Sequence, residues 1–158
     1  EATAPLPRAR LAEPFEALRA ASDASLVADG QRPGAFLMGL GELAAHAGRS
    51  MWIRNLLAAG GVEALGAEAD EPHDVLDAFR TSGARVAVLC GRDADYLERI
   101  PVLCAGLREA GAAAVLVAGR PGEREAAWRE AGVTDFLYLG CDVVEALRTL
   151  VSTLEASA

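Results

Sequence analysis

Residues 35–52 read AFLMGLGELAAHAGRSMW and hold the groups in the chain best placed to do chemistry. Gly39, Gly41 and Ala44 satisfy the G-x-G-x-x-[GA] pattern, in which backbone amides at a strand-to-helix turn face a pyrophosphate. The acidic residue that a dinucleotide would need near the end of the following strand is Glu63 or Glu68. His46, one of two histidines, follows inside an apparent helix, and its ring nitrogens suit a metal ion. The glycine pattern is a weak signal in a chain holding 16 glycines, and nothing else in the sequence supplies a nicotinamide pocket.

The other reactive side chains have structural accounts. Cys90, Cys104 and Cys141 are odd in number and far apart. They read as reduced core thiols of a cytoplasmic protein, neither a zinc set nor a disulfide frame. His73 lies between Pro72 and Asp74 at a helix start, where water solvates it. Trp52 and Trp128 read as core or subunit contacts, Asp93 and Asp95 as caps of a helix beginning near Tyr96, and Glu123, Glu125 and Asp135 as surface charges. No residue is nominated as catalytic and none as a metal ligand.

The elements that must position these residues follow from composition and punctuation. The 158 residues suffice for one domain with a substantial core. The net charge is -8, and all fifteen basic residues are arginine without a basic stripe, which excludes a nucleic-acid surface. No apolar run approaches the ~20 residues of a membrane span. Residues 1–8 read as a linker, 9–30 as a helical extension with Pro14 in its first turn and its periodicity fading near Ala24, and 31–158 as the domain proper.

Beyond residue 31, strand and helix patterns alternate five times. The strands are AFLMG, VEALG, RVAVLC, AAVLVAG and DFLYLG, and Pro101 should kink or restart the third of the helices between them. Such alternation predicts a flavodoxin-like, doubly wound parallel sheet in the order 2-1-3-4-5, with its crevice at the C-terminal ends of the first and third strands. The loop CGRDADY, residues 90–96, then faces the opening stretch. A phosphorylatable receiver domain fails on the missing lysine and on the late position of Asp93. A flavodoxin fails on a first loop without a hydroxyl before Ser50.

Several phrases carry a resemblance: GLGELAAHAGRS, NLLAAGGVEALG, AFRTSGARVAVLCGRDADY, and the run from LREAGAAAVLVAG to GCDVVEALR. In unbroken order they resemble the C-terminal part of the small (beta) subunit of methylmalonyl-CoA mutases. The resemblance implies a cobalamin-binding fold and a large catalytic subunit as partner in a heterodimer. That large subunit isomerises methylmalonyl-CoA and succinyl-CoA by radical chemistry. Family members that hold the cofactor carry Asp-x-His-x-x-Gly after the first strand. Its histidine sits beneath cobalt and its aspartate orients that ring.

Here His46 stands in the histidine position, but Ala44 replaces the aspartate and Arg49 the glycine. The later loops depart as well, with Arg92 and Tyr96 after the third strand, Arg120 and Pro121 after the fourth, and Cys141 and Asp142 following Gly140. The expectation is a non-catalytic domain that has lost the cobalamin motif, expects no cofactor and serves as a structural partner of the large subunit. Two other readings stay open: a true cobalamin module with His46 as axial ligand, and a dinucleotide site on Gly39, Gly41 and Ala44. Under the non-catalytic reading, the helix starts near Glu42, and Leu43, Ala47, Ser50, Ile53 and Leu57 form the stripe facing the sheet. His46 then turns to the crevice mouth or to water, and His46→Ala costs no more than about 0.5 kcal/mol. Arg49 gains no compensating partner, and Gly39 and Gly41 serve only as turn residues.

Overall fold

A computed structural model describes residues 11–66 and 72–156, with the side chains of residues 72–74 left aside. Its elements alternate as the sequence requires. They are α1 (Glu13–Asp29), β1 (Gly34–Gly39), α2 (Leu43–Ala59), β2 (Glu63–Leu65), α3 (Pro72–Ser82), β3 (Val86–Cys90), α4 (Asp93–Glu109), β4 (Ala114–Ala118), α5 (Glu125–Ala131), β5 (Asp135–Leu137) and α6 (Val143–Glu155). A 3-10 turn, Gly122–Arg124, leads into α5.

All five strands run parallel in the order β2-β1-β3-β4-β5, as expected. Every residue of β3 and β4 is buried, because helices cover both faces. On one face Phe36, Met38, Leu89 and Val117 meet α3, α4 and α5 through Phe79, Ile100, Leu103 and Trp128. On the other, Leu37, Val88 and Leu116 meet α2 and α6 through Ile53, Leu57 and Leu150. Trp128 is thus a core residue, in edge contact with Tyr96 at 6.0 Å between ring centroids.

Two helices differ from their sequence patterns. The first continues five residues past Ala24 and stops at Gly30, whose left-handed φ of 73° lets its amide bond the Leu26 carbonyl at 3.0 Å. Nothing in SLVAD breaks a helix, so loss of apolar periodicity did not end it. Helix α4 runs unbroken through Pro101, which is exposed and forfeits only one ladder bond, while Tyr96, Ile100, Leu103, Cys104 and Leu107 bury the opposite face.

Helix α1 lies outside the sandwich, against α6. It is fastened by Ser22, whose buried hydroxyl donates to the Gly61 carbonyl at 2.5 Å, and by the Arg32–Asp23 pair at 2.6 Å.

Candidate functional site

The C-terminal ends of β1, β3, β4 and β5 converge on the crevice that this topology reserves for ligands. Gly41, with φ of 80°, makes the turn out of β1, and Glu42 is the N-cap residue of α2. The helix therefore starts where the sequence placed it. Ala44 lies exposed in its first turn.

His46 does not face the mouth or water. It is 2% exposed and belongs to the sheet-facing stripe with Ile53, Leu56 and Leu57, whereas Leu43 is 55% exposed. The stripe is rotated from the expected one because the imidazole finds a seat directly on β1. A Cβ built on Gly39 would lie 2.6 Å from Nε2 and 2.7 Å from Nδ1. Gly39 adopts no positive φ, so it is not a turn residue at all. It is glycine-sized so that the ring can lie against the strand. On the other side Nδ1 meets the Ser50 Oγ at 3.1 Å, one helical turn on. Burial raises the Cys90 thiol, at the end of β3, to a pKa of about 12.

Arg49 is likewise better provided for than its sequence context implied. Its Nη1 donates to the Gly91 carbonyl at 2.6 Å and its Nη2 to Asp93 Oδ1 at 2.8 Å. Its Cζ lies 5.6 Å from the centroid of the Tyr96 ring. Burial works against the charge, but Asp93 and Tyr96 outweigh it, and the pKa is raised above its ordinary value. These partners sit 42 to 47 residues away in the chain, beyond the reach of local pattern.

Tyr96 is the post of the site. Only 1% exposed, its hydroxyl accepts from the Gly91 amide at 2.9 Å and donates to the Ala118 carbonyl at 2.7 Å, with the Leu89 carbonyl at 3.2 Å. One oxygen thereby ties the ends of β3 and β4 together. Burial pushes its pKa up to about 12. Sequence reasoning marked Tyr96 only as a departure in a loop. A tyrosine four residues into the helix after a buried strand was the available signal.

The remaining loops complete the rim. Asp95 caps α4 by accepting from the Arg92 amide at 3.1 Å and from the Arg92 guanidinium, which lowers its pKa. Asp93, the first residue of the helix, takes Arg49. Arg120 stacks on Tyr138 at 4.7 Å and donates to the Leu139 carbonyl at 3.0 Å.

The dinucleotide residues are not brought together. Glu63 opens β2 and so lies at the N-terminal edge of the sheet, away from Gly39 and Gly41. Glu68 falls outside the described residues. The ring of His46 covers Gly39, where a pyrophosphate would have to approach. A broad hollow of about 1310 Å³ also opens at that far edge, between Arg32, Gly34, Glu63 and Arg85, and shares no residue with the crevice.

No group of three or more His, Cys, Asp or Glu stands close enough to hold a metal among the described residues. None of the described helices is long and apolar enough to cross a membrane. His73 lies in the first turn of α3.

Comparison with known proteins gives this geometry its context. The methylmalonyl-CoA mutase small subunit of Streptomyces virginiae is 40% identical over 151 residues, covering 95% of this chain and 23% of the relative. The chain is a relative of methylmalonyl-CoA mutase small subunits. It spans about a quarter of the length of the curated relatives it matches. The probable small subunit of Mycobacterium tuberculosis strain H37Rv is 38% identical over 152 residues, covering 95% of this chain and 24% of that one. The small subunit of Porphyromonas gingivalis is 33% identical over 147 residues, covering 91% and 22%. No family model matches.

Among solved structures, a cobalamin-binding protein of Desulfitobacterium hafniense superposes with a TM-score of 0.60 at 18% identity, covering 88% of this chain and 67% of its own. A CheY-like protein of Pseudomonas aeruginosa gives a TM-score of 0.56 at 19% identity, covering 75% and 92%. At such identities the likeness concerns the fold alone, a doubly wound sheet that this relative of mutase small subunits shares with cobalamin-binding and receiver proteins.

Proposed function

We propose that this chain is the non-catalytic C-terminal domain of a methylmalonyl-CoA mutase small subunit, a structural partner of the cobalamin-dependent large subunit, with its own cobalamin motif lost. In this reading residues 1–8 are a linker, 9–30 the helical extension and 31–158 the degenerate domain.

One observation carries the proposal. The crevice is filled from within by Arg49, bonded to Gly91 and Asp93 and lying on Tyr96. The donor set does not fit a corrin. Among the described residues, His46 is the only histidine at the crevice; it gives one nitrogen to Ser50 and is buried against Gly39. Moving it beneath a cobalt ion would break that hydrogen bond and vacate the seat on β1. Arg49 stands where cofactor-holding members keep a glycine, so a tetrapyrrole edge would have to displace a charged, hydrogen-bonded side chain. No reaction step is assigned to this chain.

Incubation of the purified chain with adenosylcobalamin, followed by gel filtration and visible absorbance, tests the reading. The protein peak is expected to be colourless. Retained cobalamin that is lost in His46→Ala would establish the axial-ligand reading instead, and saturable calorimetric binding of a nicotinamide cofactor would establish the dinucleotide reading. Copurification of the native full-length protein with a large mutase subunit tests the partnership, and isolation as a stable homo-oligomer alone would oppose it.

A further inference from the structure

We propose that the crevice is a built guanidinium seat, that Arg49 fills it as an intramolecular ligand, and that this self-occupation is an autoinhibitory contact against an alkylguanidinium, such as the arginine side chain of another polypeptide. Three groups that recognise a planar cation converge on one point. The Gly91 carbonyl accepts at 2.6 Å, the Asp93 carboxylate at 2.8 Å, and the Tyr96 ring lies 5.6 Å from Cζ. Room for the plane comes from Gly119, where a Cβ would stand 3.3 Å from Nη1 and 3.6 Å from Cζ, and where φ of 147° already favours glycine.

The walls are held independently of their occupant. Tyr96 is fixed by the Gly91 amide and the Ala118 carbonyl, and Asp93 begins a helix whose cap is Asp95. All of them belong to β4, α4 and the loop between β3 and α4, whereas Arg49 reaches in from α2 on a flexible stem. The occupant can therefore leave while the seat remains. The side chains of Arg49 and Asp93 are 37% and 78% exposed, so the seat opens towards solvent and admits small cations. Its acceptors and single carboxylate favour a planar monocation. An ammonium ion matches the charge but cannot bridge Gly91 and Asp93 in one plane.

The test is thermal unfolding of the wild-type chain and of Arg49→Ala in methylguanidinium chloride, with methylammonium chloride at equal ionic strength as control. The variant is expected to melt several degrees lower in buffer and to be raised, saturably and at millimolar methylguanidinium, by much of that difference. The wild type, whose seat is filled, should show no saturable rise. Adding Asp93→Asn to the variant should weaken the half-saturation about tenfold. If Arg49→Ala fails to fold in buffer, its refolding yield with and without methylguanidinium reads the same seat. Equal responses of variant and wild type, equal responses to the two cations, or no rescue of refolding would overturn the proposal. The cobalamin experiment uses the wild-type chain and a different readout, so the family-based reading and this one stand or fall separately.

Discussion

Replacing Gly39 and His46 singly and together tests the contact on which the closed crevice depends. In Gly39→Ala the new methyl would lie 2.6 Å from the imidazole Nε2, well inside van der Waals contact, at a backbone angle alanine tolerates. The clash is purely side chain against side chain, and overpacking of this kind costs about 1–3 kcal/mol. In His46→Ala a ring that is 2% exposed disappears, Ser50 loses its partner at 3.1 Å and a void opens over β1, for a cost of about 1–3 kcal/mol. That exceeds the 0.5 kcal/mol appropriate to an exposed histidine, because the side chain is in the core.

In the double variant the methyl on residue 39 occupies part of the space the ring has left, and alanine in a strand gains about 0.5 kcal/mol over glycine. The pair should therefore cost no more than His46→Ala alone, an interaction energy of roughly 1–3 kcal/mol favouring the double variant. Urea unfolding of the four proteins, with midpoints and slopes fitted together, measures it. Single costs that add to within about 0.5 kcal/mol would refute the placement of the imidazole on Gly39.

Other expectations rest on separate contacts. Tyr96→Phe removes the hydroxyl that serves the Gly91 amide and the Ala118 carbonyl, and should lower stability in urea by about 1–3 kcal/mol with little change in the far-ultraviolet spectrum. Asp142→Ala removes the side chain that accepts from the Glu145 amide at 3.0 Å at the start of α6, and should cost about 1 kcal/mol by the same assay. Stability should also fall in alkali. Burial raises Cys90 and Tyr96 to about 12 and Cys104 to about 11. The unfolded chain releases those protons from about pH 8.5 for thiols and pH 10 for the phenol. It then binds fewer protons than the native state, and each such group removes about 1.4 kcal/mol per pH unit until its folded pKa is reached. A urea midpoint that stays level from about pH 8 to pH 10.5 would contradict the burial of all three.

The fold was legible because each strand is a short apolar run closed by glycine or by a polar turn, and five repeats of that pattern leave few topologies. Individual limits were harder to read. The periodicity of α1 fades after Ala24, yet its backbone has no reason to stop before Gly30. Pro101 looked like a break, but it lies on the exposed side of a helix held by five buried residues on the other. At the site, the starting point of α2 could be read from Gly41 and Glu42, but its rotation about its own axis could not. That rotation depends on the complementarity between the ring of His46 and the missing side chain of Gly39, which no helical periodicity contains. The partners of Arg49 were hidden for a related reason, since Gly91 and Asp93 come beside it only after β3 has paired with β1.

An open crevice at the ends of parallel strands leaves backbone groups to be satisfied by water or by a ligand. In this chain side chains take over that role. Tyr96 serves the Gly91 amide and the Ala118 carbonyl, and Arg49 serves the Gly91 carbonyl. His46 covers β1 where a bound molecule would lie against Gly39. Gly39 and His46 thus form one packed pair across β1 and α2, and Arg49 and Tyr96 form a second across α2 and α4. Gly39 is small because of His46, and the Arg49 guanidinium lies over the Tyr96 ring, 5.6 Å from its centroid. Restoring the aspartate and glycine positions alone, by Ala44→Asp with Arg49→Gly, would remove the guanidinium but leave the imidazole buried on Gly39. Such a variant should consequently gain space at the mouth without gaining an axial ligand, because the histidine is held by its own packing and not by the missing carboxylate.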